Sequence, residues 1–174
     1  MKWFPSYVAI AVLTGCTIQA QQSQPAPVAQ LKPVVLNQST KIVEGQTVYV
    51  PVYSHIYMVE RDRRMDLTVT LSVRNTDQSV PITIAAVNYH DTTGKLVRKY
   101  LEQPGELQPL AAVDFVVNQE DTSGGAGASF IVEWVAQKAA TTPVIEAVMI
   151  NTGGNQGVSF VTTGRVIKNR GNQK

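Results

Sequence analysis

Leu67, Val69, Leu71 and Val73 alternate without a break with Thr68, Thr70, Ser72 and Arg74. A period of two sends the four apolar side chains to one face of an extended chain and the hydroxyls and guanidinium to the other. Leu67 to Asn75 therefore reads as a half-buried β-strand, and the flanking segments read as its partners. Gln46 to Tyr53 is β-branched and aromatic, but Pro51 has no amide proton for a ladder and points to an edge or a bulge. The segment Met65 to Asn75 closes at the turn Asn75-Thr76-Asp77-Gln78, and Ile82 to Tyr89 forms the next strand. Asp91-Thr92-Thr93-Gly94 has the composition of a tight hairpin turn leading into Leu96 to Tyr100, and Pro104, Gly105 and Pro109 punctuate a loop. Ala112 to Val117, Ser129 to Ala136, Val144 to Ile150 and Gly157 to Val161 each read as a strand. No segment keeps a helical period, and turn signals recur at sandwich spacing. The expectation is an all-β protein, a single β-sandwich of immunoglobulin-like general architecture over residues 45–167. Tyr89, Phe115, Phe130, Trp134 and Phe160 are its expected core or core-edge aromatics.

The chain before this domain is of another kind. Met1 to Gly15 carries one basic residue, an apolar run and small residues, and the only cysteine of the chain follows as Cys16. The 13 residues from Trp3 to Gly15 fall short of the about 20 that a spanning helix needs, so residues 1–15 read as an export signal. Leu13-Thr14-Gly15-Cys16 resembles the lipobox of bacterial lipoproteins. The resemblance implies cleavage before Cys16 and a diacylglyceryl thioether on its thiol, two acyl chains that anchor at about 0.8 kcal/mol per buried methylene. Thr17 and not an aspartate follows Cys16, and in a cell with two membranes the resemblance to the lipoprotein sorting pattern then implies an outer membrane facing the periplasm. Residues 17–44 are rich in Gln, Ala and Pro with no charge until Lys32, a flexible tether about 30 Å from end to end, although Val34, Val35 and Leu36 are apolar enough to pair with the fold.

Charge adds one feature. Without Lys2 the chain has 14 basic and 13 acidic residues, yet Arg165, Lys168, Arg170 and Lys174 crowd the C-terminus with no acid among them. Residues 168–174 are thus expected to be a basic, solvated tail, with anionic headgroups or polymer as its alternative partner. Nothing in this balance points to a nucleic-acid groove, and a single cysteine leaves the domain without a disulfide.

Candidate chemistry is sparse. Asp121-Thr122-Ser123-Gly124-Gly125-Ala126-Gly127-Ala128 departs from both an aspartic-protease and a trypsin-like site. Ser123 stands where the first would have glycine, and Thr122 separates the acid from the serine of the second. A glycine-rich connection free to take positive φ explains it, with a ligand-holding loop as the alternative. Tyr53, His55 and Tyr57 lie just before the charge run Glu60-Arg61-Asp62-Arg63-Arg64, the best polar and aromatic cluster in the chain. His90 is expected at an exposed strand end. The candidate binding residues are therefore Tyr53, His55, Tyr57, Arg61, Asp121 and Ser123, with Cys16 as the lipid attachment site. No catalytic constellation, metal-ligand spacing or cofactor motif is present.

Gly45 to Ser54, Leu67 to Asn75, Asp121 to Phe130, Glu146 to Ile150 and Gln156 to Phe160 together resemble a family of uncharacterised bacterial lipoproteins, a domain of unknown function, over about Gly45 to Arg165. That resemblance implies an envelope location and one β-rich domain, and it brings no activity. The expected function is a membrane-anchored, non-catalytic module that binds or scaffolds an envelope protein or polymer. The alternatives are an envelope hydrolase using His55 with Asp121 and Ser123, and a β-sandwich holding a small ligand. Cys16→Ala is expected to abolish lipid labelling and leave an unprocessed precursor or a released protein. Unchanged membrane attachment in a fractionation experiment would defeat the anchor.

Overall fold

The computed structural model describes residues 31–59, 62–153 and 157–171. Its strands are β1 (Lys32–Pro33), β2 (Glu44–Val52), β3 (His55–Tyr57), β4 (Arg64–Asp66), β5 (Thr68–Arg74), β6 (Ile82–His90), β7 (Leu96–Lys99), β8 (Gly105–Leu107), β9 (Ala112–Val117), β10 (Ala128–Ala136), β11 (Val144–Asn151), β12 (Val158–Thr163) and β13 (Arg165–Arg170). They form a seven-stranded sheet in the order β1-β8-β6-β10-β2-β13, with β7 also on β6, a four-stranded sheet β12-β11-β5-β9, and the two-stranded hairpin β3-β4. The protein is all-β, with every ladder antiparallel and the two larger sheets packed as a sandwich around one core.

Period-two patterning builds that core. On the smaller sheet the inward side chains line up across strands as Phe160–Met149–Val69–Val117 and Thr162–Ala147–Leu71–Phe115, then Ile145–Val73–Val113. On the larger sheet they are Val50–Phe130–Tyr89, Val48–Val132–Val87 and Gln46–Trp134–Ile84. Leu67, Val69, Leu71 and Val73 are all fully buried, as the alternation requires. Tyr89, Phe115, Phe130 and Trp134 are core residues, and Phe160 packs at its edge.

Several segments differ from the sequence expectation, each for a tertiary reason. Residues 31–44 are not all tether: Leu31 is buried, and Lys32 and Pro33 pair with Glu106 and Gly105. This pairing turns the supposed loop at Gly105 into β8, where a glycine is needed because a Cβ would stand 2.7 Å from that of Leu31. The domain likewise does not stop at residue 167, because β13 carries Lys168, Asn169 and Arg170 along β2. An edge strand tolerates charges that a central strand would exclude. Met65 to Asn75 is divided at Leu67, with Arg64–Asp66 turned away to pair with His55–Tyr57. Pro51 lies where β2 has passed the end of β13, whose pairing begins at Tyr49. Its carbonyl accepts a hydrogen bond from the Thr162 hydroxyl at 2.6 Å, so a strand interior along one half is an edge along the other.

The last two strands join the sheets. The chain leaves β12 in the smaller sheet and enters β13 in the larger through Gly164, whose amide donates to Ile145 O at 2.8 Å. A Cβ there would lie 2.6 Å from Val48 Cγ1 and 2.9 Å from Ile145 O.

Substituting the inner and outer rows of β5 should separate their roles. Leu71→Ala is expected to cost about 2–5 kcal/mol in urea unfolding, and Thr70→Val, on the outer face, less than about 0.5 kcal/mol. Equal losses would contradict this assignment of faces.

Candidate functional site

The β3–β4 hairpin gathers part of the cluster read from the sequence. His55 stands opposite Asp66 and Tyr57 opposite Arg64, so these four side chains share one face, while Ile56 and Met65 share the other and pack against the core. His55 and Tyr57 meet edge to face at 5.5 Å between ring centroids, and Arg64 Nε approaches Asp66 Oδ1 at 3.3 Å. His55 is 8% exposed, and its Nδ1 has no hydrogen-bond partner. The hairpin is held at its base: Leu67 N donates to Ser54 O, Asn151 Nδ2 to Asp66 O at 2.6 Å, and Ser54 N and Oγ both to Gly125 O. Beyond this base Tyr57, Met58 and Val59 are exposed at 53, 46 and 82%. Tyr53 packs edge to face on Phe160 at 5.8 Å. Arg61 and Cys16 lie outside the described residues.

Asp121 and Ser123 do come together, in a structural arrangement. Asp121 Oδ1 accepts from the Ser123 amide and hydroxyl, and Oδ2 accepts from Arg98 at 2.6 Å. Ser123 foremost, with Arg98 adding, holds the Asp121 carboxyl below the usual carboxylate range. Arg98 also donates to the Tyr100 hydroxyl, which donates to Val116 O, and the Tyr100 ring packs on Phe115 of one sheet and Phe130 of the other. The loop therefore ties the two sheets at one margin. Its glycines serve the close approach: a Cβ on Gly124 would collide with the Tyr89 hydroxyl, and Gly125 has φ +76°. Burial foremost, then Asp121, pushes the Tyr89 phenol up to about 12. Thr92, from the Asp91–Gly94 turn, donates through both amide and hydroxyl to Gly124 O.

His55 makes no hydrogen bond with Asp121 or Ser123 among the described residues. Ser123 Oγ is a donor to Asp121 rather than to a base. His90 is half-buried at the end of β6, with Nδ1 unpartnered, so it is less exposed than its place beside a turn implies. Among the described residues no three His, Cys, Asp or Glu side chains gather as a metal would require.

Sequence reasoning missed the opposite end. There a cleft of about 320 Å³ is lined by Gln46, Trp134, Thr142 and Asn169, with the charged residues Glu44 and Arg170 among its other lining residues. Gln46 Oε1 and Trp134 Nε1 are buried without hydrogen-bond partners. A second cleft of about 180 Å³ continues from it, sharing Gln46 and Thr142 and adding Val48, Val144, Gly164 and Val166. A signal existed: Gln46 keeps the inward phase of Val48, Val50 and Val52, a polar residue on the apolar face of its strand.

A family model described as "Protein of unknown function (DUF3124)" matches residues 45–167. No curated protein matches the chain. Among solved structures, the crystal structure of Thermotoga maritima 1070 is similar at 15% identity and TM-score 0.45, covering 69% of this chain and 92% of that one.

The Asp121 arrangement sets a pH response. A carboxylate whose pKa is depressed by folding contributes stability above its unfolded value, about 3.9, and loses that contribution as pH falls through the folded value. Asp121→Asn should therefore lower the midpoint of denaturant unfolding at neutral pH and narrow the gap to the parent protein as pH falls below about 4. A pH-independent difference would show that the charge is not what matters.

Proposed function

The chain belongs to the DUF3124 family, a membership that carries no activity, and we propose that it is a lipid-anchored, non-catalytic binding and scaffolding module of the bacterial cell envelope. The anchor is Cys16, after Leu13-Thr14-Gly15, and the place is a membrane surface, the outer membrane facing the periplasm in a cell with two membranes. The observation that carries the binding role is the polarity of the sandwich. Leu31, where the tether joins, packs on Gly105 beside the start of β6, whereas the β3–β4 hairpin follows the end of β2 at Val52. Nine residues of β2 separate these ends by about 30 Å. The end away from the anchor exposes Tyr57, Met58 and Val59 on a hairpin seated through Ile56 and Met65. Exposed apolar side chains grouped on a firmly held hairpin are what a protein partner would cover.

The arrangement lends less to the two other readings. A hydrolase would need His55 to reach Ser123, whose hydroxyl is turned to Asp121. A ligand held between the sheets would need space where Val69, Leu71, Phe115 and Phe130 are closely packed.

Crosslinking in cells followed by mass spectrometry tests the proposal, with Cys16→Ala as the control for location. One dominant envelope protein should be captured, and Val59→Asp should remove it without changing the unfolding midpoint. Capture that is insensitive to Val59→Asp would rule out the hairpin end as the partner surface.

A further inference from the structure

Arg165, Lys168 and Arg170 of the C-terminal cations lie on β13, and β13 ends the larger sheet: it pairs with β2, and no strand among the described residues takes its other side. A strand with one open side presents backbone N–H and C=O groups to any extended chain that reaches it. At the opposite margin of the same sheet β1 is two residues long and includes Pro33, which cannot donate, and β7, also at that margin, is four residues long. β13 is six residues long without proline.

Its side chains divide by register. Val166 stands beside Val48 and Asn169 beside Gln46, both of them inner-face positions, whereas Arg165, Lys168 and Arg170 stand beside Tyr49, Thr47 and Gly45 on the outer face. Ile167 is the extra residue at the register shift and is 59% exposed. Arg170 is paired with Glu133 at 2.7 Å, but Arg165 and Lys168 make no ion pair among the described residues. The two clefts run beside this strand, apolar at Val48, Val144 and Val166 and polar at Gln46, Thr142 and Asn169; Glu44, whose carboxylate accepts from Ala140 N, and Arg170, paired with Glu133, line the first.

We propose that β13 is a docking edge for one extended, acid-bearing segment of a partner protein, bound by strand addition. The segment's backbone pairs with the open side of β13. Its inward side chains, apolar ones first, enter the cleft at Val48, Val144 and Val166, and its outward carboxylates meet Arg165 and Lys168. A second copy of this chain fits poorly, because its own Arg165, Lys168 and Arg170 would oppose the same cations. The stretch 17–30 fits poorly as well, since it has no acidic residue to meet Arg165 and Lys168. An anionic polymer would use the cations and leave both the backbone and the cleft unused. The site is separate from the hairpin end, and each can fail without the other.

The test uses the full-length protein in detergent and a short capped peptide in which valine alternates with glutamate. Its two controls are the same peptide with lysine for glutamate and the same peptide N-methylated at alternate amides, which cannot pair as a strand. The acidic peptide should bind saturably in fluorescence anisotropy and slow amide hydrogen exchange within 165–170. The N-methylated and lysine peptides should each bind about tenfold more weakly or not at all. In Arg165→Glu/Lys168→Glu the preference should reverse toward the lysine peptide, with unchanged exchange in β5 showing that the core is intact. Equal binding of the N-methylated peptide would overturn strand addition in favour of charge alone. Absence of saturable binding, or binding that leaves the β13 amides unchanged, would overturn the site.

Discussion

The fold depends on the rows of apolar side chains that the two sheets turn toward each other. Phe160–Met149–Val69–Val117 and Thr162–Ala147–Leu71–Phe115 on the smaller sheet face Val50–Phe130–Tyr89 and Val48–Val132–Val87 on the larger. Side-chain size runs in opposite directions along neighbouring rows of the smaller sheet, rising from Ala147 through Leu71 to Phe115 in one and falling from Phe160 through Met149 to Val69 and Val117 in the next. Opposed gradients let the rows fill space at interior density. The only cysteine lies at position 16, ahead of the domain, so no disulfide supports this packing. Burial of these rows has to offset the chain entropy lost on folding.

Strand ends impose a second requirement, because each turn leaves backbone groups without ladder partners. Short polar side chains meet it. Asn75 donates through Nδ2 to Val80 O, Leu107 O and Gln108 O and accepts from Asp77 N. Asp77 accepts from the amides of Thr141, Ser79 and Val80, which hold its carboxyl well below the usual range. Asp91 does the same for Thr93 and Lys95 in the β6–β7 turn. Asp121 belongs to this set, which gives the glycine-rich loop a structural role. The residues that resembled fragments of hydrolase motifs are engaged in closing the sandwich.

Surfaces left out of that closure are where a partner would be met. The hairpin exists because Arg64–Asp66 is peeled from the strand that continues as β5, presenting Tyr57, Met58 and Val59 beyond Ile56 and Met65. At the far end, β13 leaves one side of the sheet unpaired beside a cleft holding Gln46 and Asn169.

Alternation along the chain by itself determined which residues are inside, because side-chain direction in a strand is a local consequence of the period of two. Leu67 to Val73, Ala112 to Val117 and Ser129 to Ala136 were legible for that reason, as were the hairpin at Asp91–Gly94 and the aromatic core. The candidate site was legible only in part. Tyr53, His55 and Tyr57 were found as neighbours in sequence, but their separation from Asp121 and Ser123 rests on hydrogen bonds between distant segments. The short strands β1, β3, β4 and β8 carry too few residues to show a period, and β13 is masked by its charges; each is a strand because a partner lies beside it. Pairing between distant segments is a property of the assembled sheets, so which strands lie at a sheet margin and where a polar cleft forms were decided only by the tertiary structure.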